Sequence, residues 1–112
     1  MKYHTEVYMP EEAKRLEFAT MLNYSAHARS AAQRDRHGMI DLPKIFDTRK
    51  ASLIEAVVKG GRVTRALYRM KYDTGLDLSL VILPEKSLVV TVWLNDDSDK
   101  HRTLDRGQYA RG

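Results

Sequence analysis

Cysteine is missing from all 112 residues. Its absence removes disulfide frameworks and thiolate metal sites, and it matches a reducing compartment. No stretch approaches the roughly 18 consecutive apolar residues of a membrane span. The opening Met1 to Glu6 also lacks the apolar core of a secretion signal. A soluble, cytoplasmic protein with no membrane association is therefore expected. Several chemistries are excluded by missing motifs. There is no glycine-rich phosphate loop, no HExxH and no Gly-x-Ser-x-Gly, and Gly60-Gly61 reads as a hairpin turn. His4, His27, His37 and His101 do not fall at metal-ligand spacing on any one element. Neither a cofactor nor a metal is expected.

What the chain does contain is ordinary globular composition, 43% hydrophobic and 30% charged, well clear of the signature of disorder. Its length leaves room for one core. We expect a single domain over residues 1–112, with its core at about 10–95 and a polar extension at 96–112. Nineteen Lys and Arg against fifteen Asp and Glu give a net charge of +4, which favours polyanionic partners through long-range attraction.

Pro10 followed by Glu11 and Glu12 is a helix start, and Ala13, Leu16, Phe18, Ala19 and Leu22 recur mostly at helical spacing. A helix over about 10–22 is expected. Ser25 can cap a second, rich in good helix formers and ended by Gly38. Asp41 can cap a short helical turn through Pro43 and Phe46, with Asp47 to Lys50 as a connector. The period then changes. Residues 52–58, 63–72, 76–83 and 87–94 are rich in β-branched, apolar and aromatic side chains and are separated by turn residues. The expected fold class is α+β, with N-terminal helices packed on a four-stranded antiparallel sheet.

Strand alternation sorts these side chains onto two faces. Leu88, Val90, Val92 and Leu94 oppose Val89, Thr91 and Trp93. Ala66, Tyr68 and Met70 oppose Arg65, Leu67, Arg69 and Lys71. Ile54, Ala56 and Val58 oppose Leu53, Glu55 and Val57. With the more apolar faces on the helices, Glu55, Arg65, Arg69, Lys71, Thr91 and Trp93 share an open face. Such a face can hold phosphates with Arg65, Arg69 and Lys71, stack a base on Trp93 and move a proton with Glu55 or a histidine. A solvated sheet face would carry the same residue types.

The second expected helix adds His27 and Arg34, seven positions apart on one face, with Arg29, Arg36 and His37 nearby. Histidine can act as general acid or base near neutrality, and a guanidinium can stabilise the phosphorane formed when a ribose 2′-hydroxyl attacks its phosphate. A histidine bonded to backbone is the structural alternative.

The run Tyr24-Ser25-Ala26-His27-Ala28 with Arg34, followed by a short helix and four strands ending in Val89 to Trp93, resembles the RelE-like (BECR) ribonuclease fold. Within it, the arrangement is similar to the phage mRNA endoribonuclease RegB and to small families with an HA…R helix. The resemblance covers about residues 24–95 and lies in arrangement and short motifs. It implies cleavage of RNA without a metal, leaving a 2′,3′-cyclic phosphate, with His27 matching the helix histidine and Thr91 a polar residue of the last strand. The arginine that RegB carries four residues after its histidine falls on Ala31 here, so Arg34, Arg65 or Arg69 would have to supply that charge.

The leading expectation is a small toxin or phage-type endoribonuclease acting on mRNA, in the host bacterial cytoplasm if phage-encoded. Its catalytic set would be His27, Arg34, Arg65, Arg69, Thr91 and Glu55, and its RNA-binding set Arg29, Arg36, Lys71 and Trp93. Two alternatives stand beside it: a non-enzymatic phage or mobile-element factor that engages a host protein or cognate inhibitor, and a plain nucleic-acid-binding module.

Overall fold

The structure, a computed structural model, describes residues 6–7 and 16–98. Its centre is a run of four long strands, β5 (Ser52–Lys59), β6 (Arg62–Asp73), β7 (Leu76–Leu83) and β8 (Leu88–Asp96), each antiparallel to the next. Turn chemistry sets the register. Lys59 pairs with Arg62 across Gly60 and Gly61, whose φ angles of 57° and 78° supply the two positive-φ positions that a tight type I′ hairpin demands. The β7–β8 link is a 3-10 turn, Pro84–Lys86, closed by Ser87 in the left-handed region.

Two short strands extend this meander at its edges. β1 (Glu6–Val7) pairs antiparallel with β5, and β3 (Asn23–Tyr24) pairs parallel with β8. The sheet is thus six-stranded and mixed, in the order β1-β5-β6-β7-β8-β3. A separate two-stranded sheet joins β2 (Ala19–Met21) to β4 (Ile45–Asp47). The described residues hold one α-helix, α1 (Ala26–Gln33), and 3-10 turns at Thr48–Lys50 and Pro84–Lys86.

The expected fold class of N-terminal helices on a four-stranded antiparallel sheet is therefore corrected to a mostly β architecture. The helix expected over 10–22 is replaced from residue 16 onward by extended chain and β2, while residues 10–15 lie outside the described residues. Pairing with a distant segment overrides the local helical spacing there. Phe18 N–H donates to Thr48 Oγ1 at 3.1 Å and Thr48 N–H to Phe18 O at 3.0 Å, locking β2 beside β4. The helical turn expected from Asp41 to Phe46 is likewise absent, because Ile45–Asp47 is the partner strand. Of the polar extension, Asp96 still belongs to β8, and residues 99–112 lie outside the described set.

Helix α1 begins where Ser25 takes an extended conformation and its Oγ accepts the Ala28 N–H at 3.0 Å, a standard N-cap. It ends at Gln33, short of Gly38. The early stop has a local cause. Asp35 directs Oδ1 to the Leu94 N–H of β8 and Oδ2 to the His37 N–H, and such side-chain bonds to the backbone compete with helical ones.

The main core lies between the sheet and the α1 side. Ala28 and Ala32 of α1, Ile40 and Phe46 pack with Ala66, Tyr68, Leu78, Leu80, Ile82, Val92 and Leu94. Phe18, Phe46 and Tyr68 form an aromatic group, with Phe46 and Tyr68 centroids 4.9 Å apart. Aromatic pairs at this spacing contribute about 0.5–1.5 kcal/mol beyond their buried area.

Candidate nucleic-acid interface

Cross-strand register puts Glu55, Leu67, Val81 and Thr91 in one row, and Ser52, Arg69, Ser79 and Trp93 in the next. Glu55, Arg65, Arg69, Lys71, Thr91 and Trp93 thus do share a sheet face, the one turned away from α1. That face is not open at its centre. Glu55, Leu67, Val81 and Thr91 are each at most 3% exposed, so Glu55 and Thr91 are removed from any surface-bound strand of RNA.

The alternation also shifts at bulges in β5 and β8. Leu53 pairs with Tyr68 on the α1 side, away from Glu55. Val89 joins the core against α1 with Val92 and Leu94, so it does not share a face with Thr91. A bulge adds one residue on one strand and inverts the sorting beyond it.

The sheet's own carboxylates hold most of the cations on the face away from α1. Arg69 Nε lies 2.9 Å from Asp77 Oδ2, and its guanidinium also donates to the Asp96 carbonyl at 2.9 Å. Lys71 Nζ lies 3.3 Å from Asp97. Arg65 is half-buried beside Val57, and Trp93 is half-buried as well. Outside that face, Arg62 pairs with Glu85 at 2.7 Å and Arg49 with Asp47 at 2.7 Å. The Arg49 guanidinium and backbone N–H hold the Asp47 carboxyl at about 2, below the usual carboxylate range.

Helix α1 is built differently. Ala28 and Ala32 point to the core, which leaves His27, Arg29, Gln33 and Arg34 exposed, with Arg36 just beyond the C-cap. His27 and Arg34 occupy nearly the same azimuth, and Arg29 lies on the other flank. The helix carries no acidic residue. Among the described residues Arg29 and Arg36 have no carboxylate partner, and the Arg34 side chain donates only to the Ser30 carbonyl, at 3.4 Å.

The candidate set therefore divides. His27, Arg29, Arg34 and Arg36 gather on and beside α1, while Glu55, Arg65, Arg69, Lys71, Thr91 and Trp93 lie across the sheet from it. The sheet stands between His27 and Thr91.

Two groupings escape sequence reasoning. His37 sits between carboxylates, Nδ1 3.5 Å from Asp35 and Nε2 3.8 Å from Asp96, a relation that depends on where β8 ends. Arg49 and Lys50 join Arg69 and Lys71 around a groove; Asp47, two residues before Arg49, was the available sign of a capped turn there. Among the described residues no group of three or more His, Asp or Glu is arranged to hold a metal ion. No described helix is long and apolar enough to cross a membrane.

Comparison with known proteins returned no matching family model, curated protein or solved structure.

Proposed function

We propose that this protein binds RNA through the outer surface of α1, with Arg29, Arg34 and Arg36 on its phosphates. One observation carries the reading: these arginines lie exposed on and beside an acid-free helix with no carboxylate partner among the described residues, whereas Arg49, Arg62, Arg69 and Lys71 are all paired. Arginines without counter-ions attract a polyanion and release its condensed cations on contact. Filter binding of a single-stranded RNA across a salt series, comparing the wild type with Arg29→Ala/Arg34→Ala/Arg36→Ala, tests it. Three lost phosphate contacts should lower the slope of log K against log salt by about 2. An unchanged slope and affinity would remove α1 as the interface.

His27 favours a second reading, cleavage of the bound strand. It is exposed on the same flank as Arg34, so a histidine and a guanidinium could face one phosphodiester. The proton-transfer partners would then come from the α1 surface and not from Glu55 or Thr91. Incubation of RNA with the wild type and His27→Ala in EDTA separates the readings. Cyclic-phosphate ends made only by the wild type support cleavage; equal binding with no cut product in either leaves binding alone.

A further inference from the structure

The outer side of α1 has cations on both flanks and none along its middle. Helical geometry puts His27 and Arg34 on one flank and Arg29 on the other, with Ala26, Ser30 and Gln33 in the strip between them. That strip is small or uncharged and offers the Gln33 amide and the Ser30 hydroxyl. The two flanks are separated by the width of a helix, about 10–12 Å with side chains. One strand of nucleic acid presents a single line of phosphates, whereas a duplex presents two with a groove between them.

α1 also lies flat. Ser25 ties its start to Val89 and Val90 of β8, Asp35 ties the turn after it to Leu94, and the small Ala28 and Ala32 are buried beneath it. A helix held along its length against a sheet cannot sink into a deep groove, but it can lie on the wide, shallow minor groove of an A-form helix. Rings that would stack unpaired bases are engaged elsewhere among the described residues, His27 apart. Phe18, Phe46 and Tyr68 pack together, the Tyr24 hydroxyl donates to the Pro43 carbonyl, Tyr72 accepts the Asp41 N–H, and Trp93 is on the opposite sheet face. Binding of single strands draws on such rings.

We propose that the partner of α1 is double-stranded RNA, the helix lying on its minor groove with Arg29 and Arg34 on phosphates of opposite strands and Gln33 toward the 2′-hydroxyls between them. The inference rests on the reading of α1 as an RNA-binding surface and names the kind of RNA. Guanidinium groups suit phosphate oxygens, and a side-chain amide can both donate to a hydroxyl and accept from it.

Fluorescence anisotropy with three labelled probes of one sequence tests it: an RNA duplex of about 16 base pairs, a length that offers two successive minor grooves, the matching DNA duplex, and one RNA strand alone. At equal salt the RNA duplex should bind about tenfold more tightly than the single strand, the size of one further charge-assisted contact. Gln33→Ala, an exposed change to a better helix former, should narrow the preference for RNA duplex over DNA duplex and leave single-strand affinity near wild type. Arg29→Ala/Arg34→Ala/Arg36→Ala should weaken binding of both RNA forms, with circular dichroism checking that the fold persists. Single-strand binding as tight as duplex binding, or DNA duplex bound as tightly as RNA duplex, would overturn the duplex assignment; if the arginine variant is still impaired, α1 remains an RNA surface. An arginine variant that binds all three probes as the wild type does would remove both readings.

Discussion

Asp35 Oδ1 accepts the backbone N–H of Leu94 at 3.1 Å, joining the turn after α1 to a strand donor that β3 does not reach. β3 covers β8 only at Leu88 and Val89. Farther along, helix and turn take over from a strand in protecting that edge, a common solution to exposed β backbone.

Asp35→Ala should therefore destabilise the fold by about 1–3 kcal/mol, the range for leaving a buried donor unsatisfied. Asp35→Asn keeps an acceptor oxygen and should lose less. Urea unfolding measures both, and the Leu94 amide should exchange faster in the alanine variant. Unchanged protection at Leu94 would contradict the assignment.

The other end of α1 is tied to the same strand. Ser25 N–H donates to Val89 O at 3.0 Å, and Ser25 Oγ donates to Val90 O at 3.1 Å while accepting from Ala28. Ser25→Ala should lower stability by about 1 kcal/mol or somewhat more, because the cap and the strand tie go together. Ser25→Asn offers both an acceptor and a donor, and should recover part of the loss in the same urea series.

Phe46 is the largest fully buried side chain and bridges the small sheet to Tyr68. Phe46→Ala should be far more damaging, at about 3–5 kcal/mol. Ile45, its neighbour in sequence, is 65% exposed, and Ile45→Thr should stay within about 0.5 kcal/mol of wild type. Comparable losses at the two positions in thermal unfolding would place the small sheet differently.

Alkaline pH should weaken the protein through two tyrosines. Burial pushes Tyr24 and Tyr68 up to about 12, from an ordinary value near 10. Arg29 pulls Tyr24 slightly the other way, and the Tyr24 hydroxyl donates to the Pro43 carbonyl. The folded state therefore holds these protons after the unfolded state has released them. Their contribution to stability is complete below about pH 10 and is lost as pH rises toward about 12. In an ultraviolet titration of the native protein, Tyr24 and Tyr68 should contribute a late-ionising component, and Tyr24→Phe and Tyr68→Phe should each reduce its amplitude.

The central meander was legible because its strands carry period-two patterning between strong turn signals. Leu76–Leu83 forms a strand with the expected bounds, and Gly60-Gly61 turns as its residues require. Ser25 was equally readable as a cap. The small sheet was not, since Ala19–Met21 and Ile45–Asp47 are three residues each and find one another only through tertiary packing.

For the site, alternation correctly grouped Glu55, Arg65, Arg69, Lys71, Thr91 and Trp93. It could not say that the centre of their face is buried, because a strand's pattern reports sides and not what covers them. Nor could it count charge partners: Asp77, Asp96 and Asp97 meet Arg69 and Lys71 only after β6, β7 and β8 are aligned.

β1 and β3 precede the meander in the chain yet occupy its two outer edges. On a ribosome, which releases the N-terminal side first, both edge segments emerge before the strands they pair with. β3 cannot dock until β8, the last strand of the meander, is complete, so the nascent chain must keep this early segment unpaired. Such long-range closure slows folding, and a chaperone that shelters the segment leading into α1 should raise the yield of native protein more than one acting on the finished chain.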